Sequence, residues 1–287
     1  MNENAERSSG GSQDGVALSF SSSGILAVYH LGVAMRLVRD TPFMSQVKEV
    51  LGASGGSLVA AAVVCSDVNG LDRIAQQIRS GRAFREMNWY DLWDPADRIV
   101  PRLIQEAEVL QDDSYKHAKG RLSIQVSELD KDNRTAQRKG RLVQMFSSNE
   151  ELMSALQASC SFSSRGVQLE DGQRYWDGGM TCSMPCSEGR PTVCVSPFSA
   201  GCPIAAGPHI DICPVDQSLR LCQCCPSWSR SICGLRMELS LRNLKRCWDA
   251  CVPPNSVVLD AYVHAGACDA ERFLTKRWPA YSTITKP

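Results

Sequence analysis

Val47-Lys48-Glu49-Val50-Leu51-Gly52-Ala53-Ser54-Gly55-Gly56-Ser57-Leu58-Val59-Ala60-Ala61-Ala62 reads as a strand, a one-residue elbow and a buried helix, and the rest of the chain arranges around it. Ser54 stands at the elbow, inside the pattern Gly52-x-Ser54-x-Gly56. The two glycines permit a strained strand-to-helix turn and leave room for a substrate beside the serine. The helix that follows carries the apolar run Leu58 to Cys65 and aims its N-terminal amides at Ser54, where an alkoxide or oxyanion would form. Taken alone, the motif leaves three readings open: a catalytic serine, a phosphate cradle or a plain helix cap. A Walker-type loop is excluded, because Ser57-Leu58 follows Gly56 where Gly-Lys-Ser/Thr would be needed.

Composition narrows the classes. A chain of 287 residues with 43% hydrophobic content buries a substantial core and fits one large α/β domain, or one domain with an appendage. Its 31 Lys and Arg balance 31 Asp and Glu, which removes the basic excess that a nucleic-acid partner would call for. The longest apolar run, Leu58 to Cys65, falls well short of the ~20 residues that span a bilayer, so no transmembrane segment is expected and any membrane contact is peripheral. Residues 1–14 read as a disordered polar tail with neither a basic nor an apolar signal region. The 14 cysteines are read as reduced cytosolic thiols, since a chain of this length folds without disulfide staples.

Upstream of the elbow, Val16-Ala17-Leu18-Ser19-Phe20 is a buried strand leading into the small-residue loop Ser21 to Ala27 and a helix with Val28, Leu31, Ala34, Met35 and Val38 at helical spacing. Backbone N–H groups of Ser22, Ser23, Gly24 and Ile25 make this loop the candidate oxyanion hole, with a solvated Ser-rich turn as the equal alternative. Between Asp67 and Asp113 the helices cannot be delimited, and Trp89-Tyr90-x-x-Trp93 reads as a packing knot. Arg121–Val126 and Arg141–Phe146 are expected to form a hairpin around the charged turn Asp130 to Lys139. Ser148 caps a following helix with Leu152, Ala155, Leu156 and Ser159 on one face. Further on, Asp177-Gly178-Gly179 is either a hairpin turn or the site of a base. None of His30, His117, His209 and His264 sits in a triad motif, so a desolvated carboxylate would have to take the Ser54 proton.

Toward the carboxyl end, Cys222-x-Cys224-Cys225 and Cys247-x-x-x-Cys251 raise a zinc site, but no Cys-x-x-Cys pair repeats at finger spacing and buried small hydrophobes are the simpler account. No metal and no cofactor is expected. The stripe Met237, Leu241, Leu244, Trp248 and Cys251 is expected to pack against the sheet, with a lipid surface as the alternative.

Taken in order, the loop ending at Gly24 with Tyr29-His30-Leu31-Gly32, then Gly52-Ala53-Ser54-Gly55-Gly56, then Asp177-Gly178-Gly179, resemble the patatin-like phospholipase domain, most closely its adiponutrin and adipose-triglyceride-lipase branch. Leu18-Ser19-Phe20, Val195-Ser196-Pro197-Phe198-Ser199, Asp211-Ile212-Cys213-Pro214 and Leu239 to Leu244 with Pro253-Pro254 add to the resemblance, which runs from about Val16 to Leu274. It implies a three-layer α/β/α sandwich with a central, mostly parallel sheet and a helical carboxyl-terminal part. It also implies a Ser–Asp dyad without histidine: Ser54 as nucleophile, Asp177 as general base, and Ser22 to Ala27 as the oxyanion loop. The implied domains are a catalytic domain over 15–199 and a helical, Cys-rich extension over 200–287 packed on it. The implied partners are an acyl ester of triacylglycerol or phospholipid at a lipid surface and a possible protein coactivator; the implied location is the cytoplasm, peripherally on lipid droplets or membranes. Three departures stand out. Ser22 and Ala27 replace the first and third glycines of the family's Gly-x-Gly-x-x-Gly, Cys160 to Arg165 replaces a proline-containing segment, and Ser183 replaces a common Asn. They make a catalytically weak or silent lipid-binding relative the alternative to a lipase or transacylase.

Overall fold

The computed structural model describes residues 15–66, 69–80, 94–128, 139–163, 165–199, 210–214, 229–232 and 235–279. The tail 1–14, the Trp89-Tyr90-Trp93 cluster, the turn at 129–138, His209 and Cys222, Cys224 and Cys225 lie outside the described residues. The first strand, β1 (Val16–Phe20), is buried along its whole length, as an apolar run inside a parallel sheet should be. A 3₁₀ turn (Gly24–Leu26) leads into α1 (Ala27–Leu37), and α2 (Thr41–Gln46) is capped by Asp40, whose carboxylate accepts from Phe43 N at 3.0 Å. Next come β2 (Val47–Ala53) and α3 (Gly55–Cys65); α3 is apolar almost all round and buried accordingly. The stretch from Asp67 to Asp113, whose helices the sequence did not delimit, yields α4 (Gly70–Arg79) and α5 (Ile99–Glu106), and α6 (Ser114–Ala118) follows it.

The second half opens with β3 (Leu122–Glu128), β4 (Gly140–Val143) and α7 (Asn149–Ser159), whose cap Ser148 accepts from Glu151 N at 3.2 Å. The expected hairpin pairs β3 with β4 antiparallel, but the ladder stops at Val143 rather than Phe146; Gln144, the next residue, donates its side-chain amide to Ser123 Oγ at 2.9 Å. Then follow β5 (Val167–Gln168), β6 (Arg174–Asp177), β7 (Thr192–Val195), β8 (Ile210–Ile212), the separate hairpin β9 (Ser229–Ile232) and β10 (Leu235–Glu238), and helices α8 (Leu241–Cys251) and α9 (Ser256–Lys276).

Strands β3, β2, β1, β7 and β8 are neighbours in that order and parallel, while β4, β5 and β6 join antiparallel. With its flanking helices this mixed, mostly parallel sheet makes the three-layer α/β/α arrangement. Strand order reverses at β1, which lies between β2 and β7, and the carboxyl end of a strand at such a switch point is where ligands bind in open α/β sheets. Helix α9 runs along α1 so closely that a Cβ on Gly32 would stand 2.0 Å from Val263 O, and the Tyr29 hydroxyl donates to Asp269 Oδ2 at 2.8 Å. Among the described residues no helix is long and apolar enough to cross a membrane.

One expectation is corrected. Met237, the first residue of the stripe, lies on β10 and packs against Leu26, Cys194 and Phe198, but the part of the stripe on α8 does not pack against the sheet: Leu241, Leu244 and Trp248 are 58%, 66% and 67% exposed, and Cys251 is exposed as well. The fully buried side chains of α8 are polar and satisfied, while Cys247 and Ala250 pack partly buried beside Leu26 and Phe198. Asn243 donates to Ser199 O and Glu238 O and accepts from Ser199 N, while Asp249 accepts from Lys245 and from the Tyr262 hydroxyl. An amphipathic pattern gives a helix two faces without saying which one turns inward, and here the hydrogen bonds of the polar face decided.

Candidate active site

Sheet register brings the two candidate catalytic side chains together. Val126 and Ser127 of β3 pair with both β4 and β6, so those two strands lie on opposite edges of β3. Ile124 and Gln125 pair with both β2 and β4, which puts β2 and β6 on the same edge. Gln125 faces Ala53 and the next residue, Val126, faces Asp177, so β2 and β6 meet end to end. Ser54 and Asp177 are the residues at that junction.

The elbow takes the strained form its motif predicts, with Ser54 at φ 52° and ψ −131°. Such a conformation in a residue other than glycine costs roughly 1–3 kcal/mol and persists only where neighbours fix it. Here Ser54 N donates to Ser159 Oγ (2.9 Å), Ser159 Oγ donates to Gln125 O (2.7 Å), and Ser57 N and Oγ donate to Ser54 O at 2.8 and 2.7 Å. A Cβ on Gly56 would lie 2.4 Å from Phe20 O and Ser21 O, and one on Gly52 would lie 2.5 Å from Gly56 O, so the motif glycines let α3 sit directly on the ends of β1 and β2. Ser159, read from the sequence only as a helix-face residue, proves to be the brace of the elbow.

Asp177 is pinned through its backbone: its N–H donates to Ser161 O (2.8 Å) and its carbonyl accepts from Ser127 Oγ (2.7 Å). Gly178 fits where a Cβ would be 2.0 Å from Gln125 O, and Gly179 N donates to Asp177 Oδ1 at 2.7 Å. The carboxyl is 2% exposed, and burial pushes its pKa up to about 7, against the opposing pull of the Ser54 hydroxyl and the Gly179 N–H. Oδ2 has no fully formed hydrogen bond. A carboxyl in that state is matched to taking and returning a proton near neutrality.

In the small-residue loop, the Ser22 amide is already committed, donating to Ser183 O at 2.7 Å. The amides of Ser23, Gly24 and Ile25 have no acceptor among the described residues. Gly24 takes φ +52°, and a Cβ there would stand 2.3 Å from Ala250 O of α8. The two replaced glycine positions carry no such strain: Ala27 is ordinary right-handed helix (φ −51°, ψ −23°), and Ser22 does not have a positive φ. His30 braces the loop from beneath, its ring nitrogens 3.5 Å from Ser21 Oγ and 3.4 Å from Ser23 Oγ; burial pushes its pKa down to about 3, so it stays neutral. None of the described histidines lines the cavity at Ser54.

That cavity measures about 410 Å³ and is almost wholly apolar. Leu58, Ile78, Ile99, Val100 and Leu103 form its inner wall, and Phe162, Phe198, Ala250 and Cys251 also border it. Cys160 lies against Ser54, Ser57 and Asp177, and burial pushes its thiol pKa up, so it lines the site as a neutral group. The inner wall went unread in the sequence, although Ile99, Val100, Leu103 and Ile104 carry the helical spacing that marks α5 as amphipathic. Among the described residues no three His, Cys, Asp or Glu side chains converge on a metal position.

An α/β fold with a strained serine at a strand-to-helix elbow, a buried carboxyl facing it and an apolar cavity beside both defines the class. The patatin-like phospholipase family profile matches residues 18–188, and the chain belongs to that family. It is 31% identical over 268 residues to patatin-like phospholipase domain-containing protein 2 of Homo sapiens, covering 90% of this chain and 48% of that protein. It is 29% identical over 273 residues to omega-hydroxyceramide transacylase of Mus musculus (92% and 41%), and 30% identical to patatin-like phospholipase domain-containing protein 4 of Homo sapiens (91% and 97%). The chain thus spans about half the length of the first two. VipD from Legionella pneumophila overlaps at a TM-score of 0.37 and 12% identity, over 66% of this chain and 51% of that one, too weak a likeness to add to the family match.

Proposed function

We propose that this chain is a serine acyl hydrolase acting on acyl esters of glycerolipids, triacylglycerol and phospholipid, with transacylation to a lipid alcohol open to the same intermediate. The observation that carries the reading is the Ser54–Asp177 junction, a strained serine beside a buried carboxyl with pKa about 7 at the wall of a 410 Å³ apolar cavity. Asp177 takes the Ser54 proton as Oγ attacks the ester carbonyl, and the amides of Ser23, Gly24 and Ile25 receive the oxyanion. Collapse of the tetrahedral intermediate expels the alcohol, which recovers the proton from Asp177, and leaves the acyl group on Ser54. The cavity wall from Leu58 to Leu103 holds the acyl chain. Relatives named as a phospholipase domain protein and as a transacylase fit both fates of that acyl-enzyme.

The outward apolar face of α8 supports action at a lipid surface, with a cytoplasmic, peripheral location. Leu241, Leu244 and Trp248 stand exposed on the helix that also brings Ala250 and Cys251 to the cavity, so a lipid phase bound by that face would lie against the helix that borders the cavity. In this reading residues 15–199 carry the catalytic machinery, and 200–287 form an extension packed on it that supplies β8, α8 and α9.

Labelling by a fluorophosphonate probe, compared with Ser54→Ala and Asp177→Asn, followed by fatty-acid release from emulsified triacylglycerol and phospholipid, tests the proposal. Labelling lost in Ser54→Ala and turnover lost in both variants is the expected result. A folded wild-type chain that neither labels nor turns over lipid would overturn it in favour of a silent lipid-binding relative.

A further inference from the structure

Ser22 has a backbone that is spent and a side chain that is not. Its amide is held by Ser183 O, but Ser22 Oγ is buried, lines the cavity and has no hydrogen-bonding partner among the described residues. The hydroxyl stands over Gly179. A Cβ built on Gly179 would lie 2.2 Å from Ser22 Oγ and 2.9 Å from Asp177 Oδ1, so the hydroxyl and the carboxyl flank a single point. Asp177 Oδ2 is likewise buried with no fully formed hydrogen bond, although the Ser54 hydroxyl draws on the same carboxyl. The loop therefore has two sides. Ser23 and Gly24 sit over Gly55 at the start of α3, where a Cβ would be 3.2 Å from Ser23 Oγ and 2.6 Å from Gly24 O, whereas Ser22 sits over the carboxyl.

Leaving a hydroxyl and a carboxylate oxygen buried and unpaired is costly, and both are met at once by a third group that carries a proton and a lone pair. We propose that Ser22 Oγ and Asp177 Oδ2 form the subsite for the acyl acceptor, the O–H of water or of an alcohol. This rests on the dyad reading given above. In the second half-reaction the acceptor oxygen, held by Ser22 Oγ, forms its bond to the acyl carbon while its proton passes to Asp177 Oδ2. The bond from the acyl carbon to Ser54 Oγ then breaks, Ser54 regains the proton from Asp177, and a free acid or a new ester leaves. Ser22 thus acts on deacylation, and the amides of Ser23 to Ile25 act on both halves.

The test uses a p-nitrophenyl ester of a medium-chain acid as donor and 1-octanol as added acceptor, with Ser22→Ala and Ser22→Gly compared to the wild type. The burst of p-nitrophenol reports acylation and the steady state reports deacylation. In both variants the burst rate is expected to stay within about threefold while the steady-state rate falls about tenfold, the loss of one hydrogen bond, and acyl-Ser54 accumulates. The ratio of octyl ester to free acid shifts in the same variants. Equal falls in burst and steady state would make Ser22 an oxyanion donor, and unchanged rates would make it packing only; either result overturns the subsite. A wild-type chain that releases no p-nitrophenol at all would overturn the dyad itself, an outcome distinct from turnover with unaltered deacylation in Ser22→Ala.

Discussion

Asp177→Asn measures what the fold gives up to hold a carboxyl at the wall of an apolar cavity. The group is 2% exposed, and burial pushes its pKa from 3.8 up to about 7. One tenfold change in proton affinity corresponds to 1.36 kcal/mol, so the ionised carboxylate costs the folded state about 4 kcal/mol once the pH exceeds both values. Because the folded-state pKa is the raised one, the folded chain holds the proton more tightly than the unfolded chain. Stability from this group is full below about pH 4, is lost as the pH rises through about 7, and is level above that. Asparagine keeps an acceptor for the Gly179 N–H and carries no charge. The stability advantage of Asp177→Asn over wild type is therefore expected to grow by about 3 kcal/mol between pH 5 and pH 8, read from urea unfolding followed by tryptophan fluorescence at both values. A difference between the two proteins that stays constant across this range would refute the buried-carboxyl argument. Wild-type turnover should rise over the same interval as the base ionises, with its midpoint near 7.

Three further outcomes follow from the geometry. Gly24→Ala would place a methyl 2.3 Å from Ala250 O at a positive φ, so the loop must shift and fluorophosphonate labelling should slow by roughly 10²-fold or more, as for the loss of one oxyanion donor; a labelling rate near that of wild type would show that these amides are not the hole. Leu244→Ser with Trp248→Ser should lower turnover of emulsified lipid at least about tenfold while leaving hydrolysis of a soluble short-chain ester unchanged, and a parallel fall in both would argue for damage to the fold instead of lost surface binding. Leu103, together with Ala27, Leu58 and Ile78, borders both the main cavity and a void of about 20 Å³. Leu103→Trp should fill the inner end and shift the palmitoyl-to-octanoyl preference by about tenfold toward the shorter chain, and an unchanged preference would place the acyl chain elsewhere.

The elbow at Ser54 was legible in the sequence because its requirements are local. A positive φ at one residue, glycines two positions to either side and an apolar helix immediately after are all set by neighbours in the chain. The strand Val16–Phe20 and the cap at Ser148 were legible for the same reason. Asp177 was marked by its glycines and by resemblance, but what brings it to Ser54 is nonlocal. β6 pairs antiparallel with β3 on the edge that β2 vacates, and no pattern within Arg174 to Thr181 encodes that register.

The orientation of α8 was misjudged for a related reason. The spacing of Leu241, Leu244 and Trp248 fixes an apolar stripe, yet the direction it faces was decided by Asn243 reaching Ser199 and Glu238 and by Asp249 reaching Tyr262, partners up to 44 residues away. The cavity wall, the commitment of the Ser22 amide to Ser183 and the freedom of the Ser22 hydroxyl belong to the same category. By itself the sequence determined the family, the elements on either side of the elbow and the strained serine, because backbone conformation and hydrophobic period are properties of short stretches. Only the tertiary structure decided which hydrogen-bonding groups were satisfied and which were left facing the cavity, because each of those partners comes from a distant part of the chain.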